Sequence, residues 1–457
     1  MKKSISLAFF LLVPAFLHSS WRVISDNGRE TILEVTVEEP QLFLDRPGLS
    51  LGRLVSIPQS GGVILSILEE EKSDIPIEEF QERKGLPSKP AEVGRPGILR
   101  DFRVVNVRIH PLFREEGRAW LLKRIVLRLE YKGDGPNILN SIPKNSRDFQ
   151  ELYRAFILNY REPERESGPA IFSSEGAKMI IVTPDLYYDE VLPLAQWKTQ
   201  KGIKTYVAKL SETGSQPSQI KFFLQNAYLN WDPAPEYVLL VGDANDIPVP
   251  GSPPSDNYYA TLEGDDIFND VYIGRFPASN AQEAAVMVSK TVNYERNPLM
   301  EDPLWFKKGT GIVRDDYDES DSIYYHDILH MADLMLQQGY IHVDTFTRAG
   351  GDDYYDVLEA INEGRSIAAY RGQGVGNWWT PFNIPIQSTN NGWKLPVIIS
   401  TTCATINIDE PGNPYAGETW LKVGTAETPK GAVGFYGTVT VRSHVAEIRS
   451  AVFNGFV

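Results

Sequence analysis

Two apolar runs set the pattern of this chain. Leu395-Pro-Val-Ile-Ile-Ser-Thr-Thr-Cys403 is an unbroken hydrophobic stretch that ends in small hydroxyl residues and then the only cysteine. Upstream, Ser366-Ile-Ala-Ala-Tyr370 followed by Arg-Gly-Gln-Gly374 has the same design. Short continuous apolar runs bounded by polar turns predict neighbouring strands of a parallel sheet, buried on both faces. Ligands of such sheets bind outside the carboxyl ends of the strands. Cys403 and Gln373 are therefore the two side chains that need explaining.

The rest of the chain divides by period. Residues 21–135 alternate with period two: Thr31–Val37, Arg103–Ile109 and Arg124–Tyr131 read as strands, with Ile125, Leu127, Leu129 and Tyr131 on one face. This predicts a small β-rich domain without catalytic character, in which His110 is structural. Residues 136–177 are rich in Asn, Pro, Ser, Arg and Glu and read as a linker. Its Arg154, Arg161 and Arg165 are candidate processing points, or simply part of a solvated tether.

From Lys178 the strands become continuous and alternate with helical spacing. Strands are expected at 179–182, 203–208, 237–241, 310–314, 342–346, 366–370, 395–403 and 432–436. Helices are expected at 189–200, 218–229, 280–294, 323–338 and 353–362. Such βαβ units imply a parallel sheet with helices on both faces. Pro298–Pro303 marks a second boundary. The division is thus 1–20, 21–135, 136–177, 178–300 and 301–457. The last residues, 448–457, read as an unfinished helix, so the natural domain is expected to continue past Val457.

Composition narrows the function classes. The 457 residues are 42% hydrophobic and 23% charged, the balance of a globular protein. A net charge of −15 argues against nucleic acid, whose phosphates require a basic surface. Lys2 and Lys3 precede the apolar run Leu7–Val13, which is too short to span a bilayer and has the form of a secretory signal. Cleavage after Ala15 or Ser20 fits this pattern. No later stretch is long enough for a transmembrane helix. The protein is expected to be exported, secreted or associated with the cell surface.

The lone thiol has two readings. A free cysteine is commonly a small buried hydrophobe. As the thiolate it is a nucleophile, usually beside a histidine base. The Gly372-Gln-Gly374 turn lies where such a base would project, but a glutamine amide only hydrogen-bonds. The alternation Gly372-x-Gly374-x-Gly376 lacks both the dinucleotide spacing and the P-loop lysine. His326-Asp-Ile-Leu-His330 has the i, i+4 spacing of zinc ligands, with Asp327 where a zinc peptidase has glutamate. Structural or surface histidines account for that pair better, and a zinc hydrolase is the most distant reading. Trp378-Trp379 is either a subsite wall or core. Asp256, Glu263, Asp265, Asp266, Asn269 and Asp270 gather oxygen donors in one stretch. That is calcium chemistry without EF-hand spacing, and a solvated acidic loop is the alternative.

From Met179 onward the chain resembles the catalytic domain of the gingipain family of secreted cysteine peptidases. The residues that carry the resemblance are Tyr237–Asp243 with Asp246-Ile-Pro248, Ser255-Asp256, Glu263-Gly-Asp265, Val271–Phe276, Tyr294–Asn297 and Lys430–Gly437. Tyr370–Gly374 is similar to the family's Tyr-x-Gly-His-Gly turn, and Cys403 matches its nucleophile. The β-rich residues 21–135 stand where the family carries a propeptide.

The resemblance implies a caspase-like α/β catalytic domain in two side-by-side subdomains, 178–300 and 301–457, acting on peptide or protein substrates. Cys403 becomes the nucleophile, and the amides of Gly374 and Cys403 become the oxyanion donors. Gln373 occupies the family's histidine position. Asp315 or Asp316 is the candidate acid near that position, and no counterpart of an arginine-selecting acid stands around Asp321–Tyr324. No cofactor is implied for the chemistry. Structural calcium at Asp256, Asp265, Asp266 and Asp270 is implied by the family's calcium sites. His444, in the loop after 432–436, is the candidate replacement base. The alternative function is a non-catalytic relative that binds peptide or surface material.

Overall fold

The computed structural model describes residues 19–45, 49–76, 86–141, 144, 146–162, 176–314, 321–378, 380–408, 414–439 and 453. The chain forms two compact units. One comprises Met1–Ala170 with Glu263–Asp270, the other Ile171–Leu262 with Val271–Val457.

The first unit is β-rich. It contains β1 (Ser19–Asp26), β2 (Glu30–Val37), the single turn α1 (Leu42–Asp45), β3 (Leu51–Ser56) and β4 (Gly62–Ile75). After these come β5 (Ala91–Val93), β6 (Gly97–Leu99), β7 (Phe102–Ile109), β8 (Leu112–Glu115), β9 (Arg118–Lys132) and α2 (Arg147–Phe156). One antiparallel sheet runs β1-β2-β9-β4, with β8 on β9; the other runs β3-β7-β5, with β6 on β7. The period-two alternation holds strictly in β2, and is broken in β7, where Val104 and Val105 are both buried, and in β9, where Val126 is buried between Ile125 and Leu127. Leu33, Val35, Ile125, Leu127 and Leu129 are buried in one core, and Tyr131 packs on its rim. Between them Glu34 and Arg124 face outward as an ion pair. His110 is buried, and burial pushes its imidazole toward the neutral form.

Part of the expected linker is instead ordered into this unit. The buried Arg103 donates to the carbonyls of Pro136 and Asn137, which pins that stretch to the sheet. α2 follows, capped by Ser146 Oγ accepting from Phe149 N. Its composition is polar because only one face is buried, through Phe149 and Tyr153. Tyr153 Oη donates to Asp101. A reading by composition averages the two faces and misses the helix.

The second unit opens with β10 (Met179–Thr183), α3 (Tyr188–Gln200), β11 (Thr205–Lys209), α4 (Leu210–Thr213), α5 (Pro217–Asn230), β12 (Tyr237–Val241), β13 (Tyr272–Phe276) and α6 (Ala281–Arg296). Its strands are parallel in the order β11-β10-β12-β13. The continuous run of β10 is buried throughout, as a sheet covered on both faces requires. Pro217 opens α5 at a position that needs no amide donor, and Asn280 caps α6 by accepting from Glu283 N. β13 was not foreseen. It is a half-buried edge strand with Gly274 and Arg275 inside it, so it carries little apolar pattern.

A second parallel sheet follows from β14 (Lys308–Val313), α7 (Asp321–Gln337), β15 (His342–Thr347), α8 (Tyr354–Glu363), β16 (Ile367–Arg371), β17 (Gly374–Val375), β18 (Asn377–Trp378), β19 (Val397–Thr401), α9 (Ala416–Lys422) and β20 (Gly434–Tyr436). Its order is β15-β14-β16-β19-β20, with β17 and β18 as a small separate hairpin. The two halves of this unit meet through α6 and α9. Lys290 Nζ, buried on α6, donates to the carbonyls of Trp420 and Leu421 at the end of α9, and Ser289 donates to Ala426 O. Burial pulls the Lys290 amine down to about 7, and in its charged form it complements the negative end of the helix.

Candidate active site at the carboxyl edge of the second sheet

β16 and β19 are adjacent and parallel, with Arg371 level with Thr401. Gln373 and Cys403 each lie two residues beyond that pair, so the two sequence-predicted residues leave the sheet side by side. Thr402 Oγ1 donates to Gly372 O at 2.5 Å and ties the two turns together. Gly376 N donates to Ala404 O at 2.7 Å, and Gly376 O accepts from Ala416 N at 2.7 Å. Thr438 at the end of β20 joins the set: its carbonyl accepts from Thr405 N, and its hydroxyl donates to Thr402 O. The thiol-bearing turn is thus held from β16, from the glycine hairpin, from β20 and from α9.

The glycines serve turn geometry. Gly372 has φ +142°, and a Cβ there would stand 2.7 Å from Arg314 Cβ. Gly376 has φ +74° with the Tyr415 ring 3.8 Å from where its Cβ would be. Both φ values lie where side-chain-bearing residues are strained. The three glycines lead into the β17–β18 hairpin and no helix follows, which removes the phosphate-loop reading. Ala404, directly after the thiol, has φ +20°. Cys403 is partly accessible, Gly374 is buried, and the Gln373 side chain is exposed.

Below the turns lies a buried cation. Arg371 is fully buried, with its Nε 2.7 Å from Asp327 Oδ2 on α7 and its Nη1 donating to Thr401 O. The Tyr324 ring lies 4.8 Å from the guanidinium and that of Phe453 5.7 Å. Arg314, at the end of β14, is also buried, and desolvation holds its pKa below the usual arginine value. Trp378 is core rather than subsite wall. It stacks on Tyr370 at 5.1 Å and donates from Nε1 to Ser400 Oγ. Trp379 lies outside the described residues, as do Asp315, Asp316 and His444.

The sequence drew attention to His326-Asp-Ile-Leu-His330 for its histidines, but the intervening Asp327 carries the structural role. His326 and His330 face solvent while Asp327 points inward to Arg371. The acids proposed for calcium are engaged by protein donors. Within the first unit Asp266 accepts from Ile98 N and Phe268 N, and Asp270 accepts from Arg100 N and Glu263 N. Asp265 pairs with Arg95. In the second unit Asp256 forms a two-point pair with Arg275. Among the described residues no group of three or more His, Cys, Asp or Glu side chains is placed to hold a metal ion.

A model of peptidase family C25 matches residues 172–456. The chain belongs to peptidase family C25.

Gingipain R2 of Porphyromonas gingivalis (strain ATCC BAA-308 / W83) is 28% identical over 414 residues, covering 86% of this chain and 55% of that protein. The chain therefore spans about half the length of that relative. Among solved structures, the Arg-specific cysteine proteinase gingipain R superposes with a TM-score of 0.54 at 23% identity, over 63% of this chain and 70% of that one. The complex of the pro- and mature domains of RgpB from Porphyromonas gingivalis gives 0.51 at 25% identity, over 58% and 64%. The α/β architecture expected from the sequence is therefore that of the C25 peptidases, with a β-rich region before it. Among the described residues no helix is long and apolar enough to cross a membrane.

What the sequence did not supply is the support of the candidate site. The hydroxyls of Thr402, Ser400 and Tyr370 and the Asp327–Arg371 pair carry that support. The only advance signal was the cluster of small hydroxyl residues ahead of Cys403.

Proposed function

We propose that this C25 protein is an exported, gingipain-like cysteine endopeptidase in which Cys403 attacks the peptide carbonyl. The observation that carries the reading is the joining of the Gln373 and Cys403 turns at one sheet edge by Thr402 and Gly372. The sulfur adds to the carbonyl carbon, and the carbonyl electron pair moves onto oxygen, where the amides of Gly374 and Cys403 receive it. Collapse of that intermediate expels the amine, which takes a proton, and water then hydrolyses the thioester. Gln373 cannot take the thiol proton. His444 is the proposed base, and His444→Ala is then expected to slow the thiol's reaction near neutral pH.

The deciding experiment is the pH dependence of Cys403 alkylation by iodoacetamide on native protein. A working nucleophile titrates well below the ~8.5 of a free thiol. A rate that follows the free-thiol value, or labelling only after unfolding, supports a second reading. In that reading the protein is a non-catalytic relative that holds peptide or cell-surface material at the same sheet edge, and the exposed glutamine at position 373 favours it.

A further inference from the structure

We infer that Tyr370 is a positioning residue for the oxyanion-binding amide of Gly374. The inference rests on the reading of Cys403 as the nucleophile.

Tyr370 is fully buried on β16, three residues before the Gln373 carbonyl to which its hydroxyl donates at 2.5 Å. The left-handed backbone of Gly372 folds the chain back so that this contact is made. A trans peptide is planar, and its C=O and N–H point in opposite directions. Holding the oxygen of residue 373 therefore fixes the direction of the Gly374 N–H, which aims away from the tyrosine.

The ring itself is immobilised. It lies nearly parallel to Trp378, with an interplanar angle of 10°, and Trp378 is anchored by its indole N–H on Ser400 Oγ at 2.9 Å. Ser400 stands on β19, three residues before Cys403. One buried chain of contacts, Ser400 to Trp378 to Tyr370 to Gln373 O, therefore links the nucleophile strand to the peptide plane that offers the oxyanion donor. A hydrogen bond in such a buried setting is stiffer than one in water. The substrate need not touch Tyr370 for the tyrosine to matter. Its hydroxyl acts through the peptide plane.

A peptide aldehyde tests this directly. The Cys403 thiolate adds to the aldehyde carbon, the C=O pair becomes an oxyanion, and its affinity depends on the amide donors. Alkylation by iodoacetamide forms only a carbon–sulfur bond with loss of iodide and needs no oxyanion site. The experiment measures protection of Cys403 from iodoacetamide by a peptide aldehyde, on the full chain and its variants. Tyr370→Phe is expected to weaken protection by about tenfold or more, a fraction of what loss of one oxyanion donor costs, while the unprotected alkylation rate stays within about twofold. Ser400→Ala removes the Trp378 partner but leaves the tyrosine hydroxyl on Gln373 O, and is expected to lose clearly less protection than Tyr370→Phe.

Equal protection in the native protein and Tyr370→Phe overturns the inference. So does a slowed alkylation rate in Tyr370→Phe, or equal loss of protection in Ser400→Ala, because each assigns the hydroxyl to packing alone. Native protein that is alkylated but not protected overturns it too, while leaving the thiol reactive. Native protein that is never alkylated removes the nucleophile reading itself, and the inference with it.

Discussion

Asp327 on α7 and Arg371 at the end of β16 meet 2.7 Å apart directly beneath the turn that carries Gln373. Removing one partner of a buried pair leaves the other charge without compensation, which costs about 3–5 kcal/mol. Asp327→Ala is therefore expected to lower unfolding stability by about that amount, measured by urea titration at neutral pH. Because Arg371 also donates to Thr401 O, the same variant is expected to alter the alkylation rate of Cys403.

Glu418 predicts a pH dependence of stability. It is buried on α9, and desolvation raises its carboxyl to about 7, with Lys422 opposing and Asp243 adding. In the unfolded chain the group titrates near ~4.3. The stabilisation of the neutral acid is thus fully present below the unfolded value and is lost as pH rises through about 7. Glu418→Gln is expected to match the native protein near pH 4 and to exceed it well above pH 7 by roughly 4 kcal/mol, at about 1.36 kcal/mol per unit. Chemical denaturation at several pH values checks this; parallel curves for the two proteins would sink it.

Gly372→Ala is expected to damage the site from its floor. The added carbon meets Arg314 Cβ at 2.7 Å, in a backbone conformation that alanine resists. A loss of about 1–3 kcal/mol is expected from overpacking. The turn should be displaced, which is read as altered Cys403 labelling at temperatures where the protein remains folded.

Gln373→His tests the non-catalytic reading, in which no base acts on Cys403 and a histidine at position 373 supplies one. General base catalysis contributes about 10²–10⁴ in rate. Hydrolysis of a mixed peptide library should rise by at least the lower figure if the turn presents residue 373 to Cys403. No increase, with the fold intact by circular dichroism, would mean that the turn does not present it.

Asp270 tests the first unit. It is fully buried and accepts from the amides of Arg100 and Glu263, while Arg100 Nη1 donates to its carbonyl. Asp270→Ala leaves buried donors unmatched at about 1–3 kcal/mol each. Limited proteolysis is expected to show earlier cutting within residues 263–270 of that variant.

The elements of the second unit were legible because buried parallel strands and amphipathic helices repeat their pattern over many residues. Tyr237–Val241 was read to the residue, and the five long helices to within a residue or two at each end. Edge strand β13 was not, because a half-exposed strand with a glycine and a paired arginine has no strong period. α2 was missed for a related reason, since its buried face is only Phe149 and Tyr153. At the site, the sequence pointed to Gln373, Gly374 and Cys403 by their place after apolar runs. It could not point to Thr402, Tyr370 or Asp327, whose roles depend on contacts between strands and helices distant in the chain. The acidic stretch shows the converse. Composition drew attention to the acids for their oxygen donors and could not show that the backbone amides of Ile98, Arg100 and Phe268 donate to Asp266 and Asp270.

The inclusion of Glu263–Asp270 in the first unit has a consequence for biosynthesis. Domains commonly fold as they emerge, the amino-terminal one first. Here the first 170 residues lack part of their own structure until about a hundred more have been made. The buried amide of Arg100 waits for a carboxylate encoded far downstream. An isolated amino-terminal fragment, expressed without that segment, starts life with those donors unmatched, whereas one co-expressed with residues 263–270 does not. The order in which this protein is built therefore differs from the order in which its units are completed.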